Sequence, residues 1–352
     1  MNQTTIPKVS VIVPNYNHAR FLRQRLDTIL AQSYQDFELI LLDDCSTDDS
    51  QTILREYASH PRVTQLVFNE TNSGSTFKQW NKGVRLARGE YVWIAESDDY
   101  AAPQFLGILV NVLDNDPNAV FAYCRSWRVD EENRPDGFAD DYLSSFSADQ
   151  WTKTFRMDGD AMCRTYFVRA NPVPNASAVV FRRDLYEQAG GADELLRLCG
   201  DWKLWASMAL HGRVAYRSEP LSYFRRHKAT VRETMELSTE RDFEFLRLHC
   251  WIAERADVSD AIREEICSQE AGHWIRMLIS FRTSVAVKKN VLRDMWALDP
   301  RPMRRAARPV FEAVRLKLRL HWRALWSITA PADPPAHVCD RGKDIKKVAH
   351  RR

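Results

Sequence analysis

The stretch "YVWIAESDDY" (residues 91–100) is an apolar, β-rich run that ends abruptly in Glu96, Ser97, Asp98 and Asp99. Carboxylates crowded at the end of a buried strand repel one another unless a cation or hydrogen-bond donors offset the charge. Upstream, strand-like and helix-like patterns alternate. "KVSVIVP" (8–14) is a short β-rich run, and "HARFLRQRLDTILAQS" (18–33) places Leu22, Leu26, Ile29 and Leu30 on one helical face. "FELILLDD" (37–44) is again strand-like, and Ser46 with Asp49 reads as a capping box opening a helix through Ile53, Leu54 and Tyr57. "VTQLVF" (63–68) is the next strand, and Phe77, Trp80, Val84 and Ala87 stripe the helix before "YVWIAE".

Continuous apolar strands separated by helices of ten to fifteen residues predict an α/β fold, a doubly wound and mostly parallel sheet with helices on both faces. Ligands of such sheets bind at the carboxyl ends of the strands. Asp43 and Asp44 close strand two while Glu96, Asp98 and Asp99 close strand four, so two acidic clusters share one edge. Local capping accounts for Asp48 and Asp49, but not for acids at two matching strand ends.

The 352 residues, 45% hydrophobic, suffice for one large core or two smaller ones. With 50 basic and 47 acidic residues the net charge is +3, which gives no overall drive toward nucleic acid. The seven cysteines, Cys45 to Cys339, are scattered and never spaced C-x-x-C, which argues against a disulfide framework or a zinc site. No signal-peptide pattern opens the chain and no run of eighteen uncharged apolar residues occurs, so the expected location is cytoplasmic, without a transmembrane span. After strand one, "PNYNHARF" (14–21) contains no glycine, which excludes the G-x-G-x-x-G and P-loop phosphate cradles. Carboxylates holding a divalent cation are the other physical means of binding a diphosphate.

"VSVIVPNYN", "ELILLDDCSTDDS" and "NSGSTFKQWNKGVRLARGEYVWIAESDDY", in that order over residues 9–100, resemble the successive motifs of the family 2 glycosyltransferases of the GT-A fold. "PNASAVVFRRDLYEQAGGADELLRLCGDWKLWASMALHGRVAYRSEPLSYFRRH" (174–227) resembles the acceptor half of the same domain. The resemblance implies an inverting transferase that moves a sugar from a nucleoside diphosphate donor, most often a UDP-sugar, to a hydroxyl of a saccharide or lipid-linked acceptor, using Mn²⁺ or Mg²⁺. It implies that Pro14, Asn15, Tyr16, Asp43 and Asp44 line the nucleoside pocket, joined by Asn72, Gly74, Lys82, Glu96 and Ser97. Asp98, Asp99 and His227 would hold the metal, with Glu96 standing where the family carries an aspartate. Asp201 matches the position of the general base. Arg225, Arg226 and Trp202 are placed to meet the diphosphate or the acceptor. Gly200 stands where the family usually has an acid.

Each of these residues has a plainer reading. Asp201 following Gly200 fits a helix N-cap, His227 a surface histidine, and Trp205 a packing residue on the apolar stripe of Leu204 and Met208. Two further functions fit the same pocket: a non-catalytic nucleotide-sugar or glycan-binding protein, and a nucleotidyltransferase. The second calls for a glycine-rich basic loop after strand one, which is missing.

These patterns divide the chain into a transferase domain over 1–230, with a nucleotide-binding half at about 8–125 and an acceptor half at about 126–230. A helical extension follows over 231–330 and a disordered basic tail over 331–352. Residues 301–328, rich in arginine and bearing Trp322 and Trp326, read either as an interfacial helix on the anionic inner face of a membrane or as a helix docked on the protein.

Overall fold

The structure is a computed structural model, and it describes residues 6–227, 239–279 and 284–298. The expected interfacial helix at 301–328 and the tail from 331 lie outside the described residues. Strands β1 (Val9–Asn15) and β2 (Phe37–Asp43) are buried along their whole length, as their uninterrupted apolar runs demand. They flank helix α1 (Ala19–Leu30) and are followed by α2 (Ser50–Tyr57), β3 (Val63–Phe68), α3 (Thr76–Leu86) and β4 (Tyr91–Ile94). The chain continues through β5 (Tyr100–Ala101), α4 (Phe105–Asp114), β6 (Ala119–Val129), β7 (Pro135–Phe138), β8 (Phe155–Asp158) and one turn of helix, α5 (Gly159–Met162). Then come β9 (Val179–Arg182), α6 (Arg183–Gln188), α7 (Gly200–Ala209), β10 (Arg213–Arg225) and three helices, α8 (Thr239–Arg255), α9 (Asp260–Ile279) and α10 (Val285–Leu298).

One sheet runs in the order β3-β2-β1-β4-β9-β6-β10-β5, with β7 on β6 and β8 on β10. The first four strands are parallel. Beyond them the sheet is mixed: β9 runs antiparallel to both β4 and β6, and β10 returns parallel to β6. Helices α1, α2 and α4 cover one face over Val11, Leu39 and Trp93, while α3 and α7 cover the other over Ile12, Ile40 and Phe181. Each leucine or isoleucine enclosed there contributes about 1.5–3 kcal/mol relative to exposure. Helix α3 reaches β1 through Gly83, where an added Cβ would come 2.3 Å from Ile12 Cγ2.

The α8–α10 helices extend the second core rather than standing apart from it, with Leu246, Ile252, Trp274 and Met295 buried in the same cluster. Arg169 binds the Glu265 carboxylate through Nε at 3.0 Å and Nη2 at 2.7 Å, and His249 Nδ1 lies 2.8 Å from Val168 O. Among the described residues no helix is long and apolar enough to cross a membrane.

Candidate active site

The carboxyl ends of β1, β2 and β4 converge on one edge because the three strands are parallel and in register, Asn15 opposite Asp43 and Ile12 opposite Ile94. Asp43 is fully buried and works within the protein. Its oxygens accept from Asn15 Nδ2 at 3.0 Å, Ser46 N at 2.9 Å and Gln51 Nε2 at 3.1 Å. Asp44 is engaged in the same way, by Asn69 Nδ2 at 2.6 Å, Ser73 N at 2.9 Å, Gln79 Nε2 at 2.9 Å and Ser73 Oγ at 2.7 Å. Both acids therefore pin loops: three of the four bonds to Asp44 fall on Oδ1 and one, from Ser73 Oγ, on Oδ2.

Asn72 closes that loop by donating to Asp44 O at 2.9 Å and accepting from Gly74 N at 2.8 Å, and Lys82 Nζ holds Asn69 Oδ1 at 2.5 Å. The expected capping box does not form. Ser46 Oγ instead receives Asn15 Nδ2 and Asn17 N, and Asp48 serves two helix starts, accepting from Ser50 N at 3.0 Å and Ala19 N at 2.9 Å. Pro14 is buried at the end of β1, whereas the Tyr16 ring is 45% exposed at the rim.

The acids after β4 take separate roles. Glu96 Oε1 accepts the indole N–H of Trp80 at 2.6 Å, and burial with Asp98 nearby pushes its carboxyl up to about 8. Asp98 Oδ2 lies 3.0 Å from His227 Nε2. Burial is the largest influence on the Asp98 carboxyl and pushes its pKa up, but the His227 bond together with the charges of His18 and His227 holds it below its usual range, while the same bond raises His227. Asp99 departs from the expected metal role: it is buried, accepts the Arg225 N–H at 2.9 Å, and is raised to about 7 by burial and by Asp98.

The group that converges with Asp98 and His227 is His18, which was not expected. One ligand atom from each of the three lies within 4.8 Å of the others. A carboxylate with two imidazoles is a mixed oxygen–nitrogen donor set that a first-row divalent cation such as Mn²⁺ can occupy, so the residues present fit the implied metal. Behind the acids, Arg25 is fully buried over the Trp93 ring at 4.8 Å, and its guanidinium has no hydrogen-bond partner among the described residues.

Ser97, Arg225 and Trp202 also depart from their expected contacts. Ser97 is buried with its hydroxyl 2.8 Å from His18 Nδ1. Arg225 is 1% exposed, and its three guanidinium nitrogens each donate within the protein, to Asp98 O, Asp130 O and Gln24 Oε1, so it is buried away from a phosphate. Arg226 is exposed beside it. Trp202 is buried, donates to Phe167 O at 2.9 Å and packs edge-on against Phe245 and His249, so it offers no face to a sugar.

Asp201 sits in the first turn of α7, with Oδ2 accepting from Asn171 Nδ2 at 3.1 Å. Helix α7 approaches α3 through Gly200, where a Cβ would come 2.4 Å from the Phe77 ring, so no acid fits at this position. The turn leading into α7 is gripped by Glu244 of α8, whose carboxylate accepts the N–H groups of Arg197, Leu198 and Cys199 at 2.8, 2.9 and 3.0 Å.

This combination of a parallel β1-β2-β4 edge, acidic strand ends and a mixed acceptor half is the GT-A arrangement. Residues 10–172 match Glycosyl transferase family 2, and the chain carries a domain of that family. An uncharacterized glycosyltransferase of Rickettsia typhi is 26% identical over 236 residues, 66% of this chain and 69% of that protein. The chain spans 13% of the length of one curated relative, an uncharacterized protein of Sinorhizobium fredii that is 38% identical over 119 residues, and 69% of the Rickettsia typhi protein.

Among solved structures, Staphylococcus aureus TarS 1–349 in complex with UDP-GlcNAc aligns with a TM-score of 0.62 at 20% identity, covering 84% of this chain and 82% of that one. The mannosyltransferase PcManGT of Pyrobaculum calidifontis, in complex with GDP-Man and Mn²⁺, aligns with a TM-score of 0.52 at 21% identity, covering 92% and 84%.

Proposed function

We propose that this protein is an inverting glycosyltransferase that moves a sugar from a nucleoside diphosphate sugar, a UDP-sugar before GDP- or dTDP-sugars, to a hydroxyl of a saccharide or lipid-linked acceptor in surface glycan synthesis. The observation that carries the reading is the meeting of Asp98 and His227 at the strand edge beside the Asn15–Tyr16 loop, within a family 2 domain.

In this reading the exposed Tyr16 ring stacks on the nucleobase, and Asn15, Lys82 and the Asn72–Gly74 turn shape the pocket around it. Asp98 and His227 hold the divalent cation. When bound, that cation neutralises charge on the departing diphosphate. Asp201, oriented by the Asn171 amide, takes the proton of the acceptor hydroxyl as its oxygen bonds to the anomeric carbon. The bond from that carbon to the diphosphate oxygen breaks on the opposite side, in one in-line displacement with inversion. Arg226, exposed next to His227, is the arginine placed to meet the diphosphate. A cytoplasmic enzyme docked on the inner face of the membrane through residues 301–328 would meet a lipid-linked acceptor directly.

Incubation with a panel of nucleotide sugars and Mn²⁺, with free nucleoside diphosphate as the readout, tests the proposal. Donor-specific release supports it. Binding of a donor without any release would make the protein a nucleotide-sugar-binding module instead.

A further inference from the structure

His18 is not explained by nucleotide binding or by its helix. It precedes α1 without capping it through its side chain, yet it comes from a different part of the chain to the same point as Asp98 and His227. The His18 and His227 rings meet edge-on with centroids 5.4 Å apart, and Phe21 packs against both. Two features hold His18 in place before any ligand arrives. Ser97 Oγ bonds Nδ1 at 2.8 Å, and the helix start beside it is fixed by Ala19 N donating to Asp48 Oδ2 at 2.9 Å. A histidine with one ring nitrogen hydrogen-bonded to the protein has its ring orientation fixed and presents the other nitrogen outward, as metal-ligating histidines do.

We propose that His18 is a third protein ligand to the divalent cation, completing a two-histidine, one-carboxylate site that selects Mn²⁺ over Mg²⁺. The inference rests on the reading of Asp98 and His227 as cation-holding residues. Its chemical basis is donor type: each imidazole nitrogen moves the site away from Mg²⁺, which demands oxygen and retains its waters, and toward the first-row transition metals, of which Mn²⁺ is the one that also suits the carboxylate. With His227 alone the site has one nitrogen and little basis for such a preference. With His18 it has two.

The test uses the full chain titrated with MnCl₂, with bound Mn²⁺ followed by electron paramagnetic resonance, its nitrogen ligands counted by pulsed methods, and MgCl₂ added as competitor. Two imidazole nitrogens are expected in the wild type and one in His18→Ala, with Mn²⁺ affinity reduced about tenfold or more and Mg²⁺ affinity reduced less. Ser97→Ala keeps the ligand but frees its ring, and should weaken Mn²⁺ several-fold without changing the nitrogen count; it also serves if His18→Ala folds poorly. An unchanged nitrogen count and Mn²⁺/Mg²⁺ preference in His18→Ala would overturn the role of His18, as would weaker UDP binding in that variant with and without metal, which would make His18 a phosphate contact. If Asp98→Asn and His227→Ala bind Mn²⁺ as well as the wild type, the underlying reading of the site fails instead.

Discussion

Glu244 Oε2 accepts the backbone N–H of Cys199 at 3.0 Å, and Cys199 stands two residues before Asp201. A carboxylate from α8 thus fixes the turn that presents the proposed base, and the same carboxylate holds the two preceding N–H groups. Glu244→Ala leaves three inward-facing donors without partners. At about 1–3 kcal/mol for each lost partner, partly relieved by water, the expected loss of stability is roughly 2–4 kcal/mol. Turnover should fall about tenfold while UDP affinity holds, because the nucleotide edge is built from other strands. Equal losses of kcat and UDP binding would show that Glu244 supports the fold generally and not this turn.

Gly200 faces the Phe77 ring at a distance that admits no side chain. Gly200→Ala should cost about 1–3 kcal/mol by overpacking and should lower kcat through displacement of Asp201. Adding Phe77→Leu makes room, so the double variant should recover stability in thermal melts. No recovery would locate the strain elsewhere.

His249 supplies a pH dependence with a definite sign. Burial holds its imidazole below the ordinary value, and Nδ1 carries the proton donated to Val168 O. Because the folded-state pKa is depressed, this contribution is fully present above about pH 6.5 and is lost as pH falls through the lowered folded value. His249→Gln keeps a donor for Val168 O without titrating. Melting temperatures measured from pH 7.5 down to 5 should decline more steeply for the wild type than for this variant, and parallel curves would refute the assignment.

Arg25 places an enclosed positive charge behind the acids, with Asp99 its strongest favourable partner, then Asp98 and Glu96; burial pulls the guanidinium down to about 10. Arg25→Met removes that charge from the low-dielectric side of the site, so divalent cations should bind more tightly, on the order of tenfold. Calorimetric titration with MnCl₂ checks the direction. Weaker binding would mean that Arg25 acts by holding the acids in place.

The parallel half of the fold was legible because its strands are continuous apolar runs and its helices carry single apolar stripes. The reversal at β9 was not, since "VVFR" has no feature that sets its direction. At the site, acid type and strand-end position picked out Asp98. Asp99 was taken with it because both lie past the end of β4 at Ile94, where the chain turns and no strand period sets which way a side chain points. Arg225 and Trp202 were expected at ligands on residue type alone, and only coordinates show that both are buried and bonded within the protein. His18 was visible in "PNYNHARF" yet read as the opening of a helix. The contacts of Asn171 and Glu244 join segments far apart in sequence, which no local pattern encodes.

The most direct measurement is release of nucleoside diphosphate from nucleotide sugars by the full chain with Mn²⁺, compared with Asp201→Asn. The wild type should release it from one donor class, while Asp201→Asn should bind the same nucleotide with unchanged affinity and release almost none. Equal turnover by the two proteins would contradict the assignment of Asp201 as the base and the mechanism built on it.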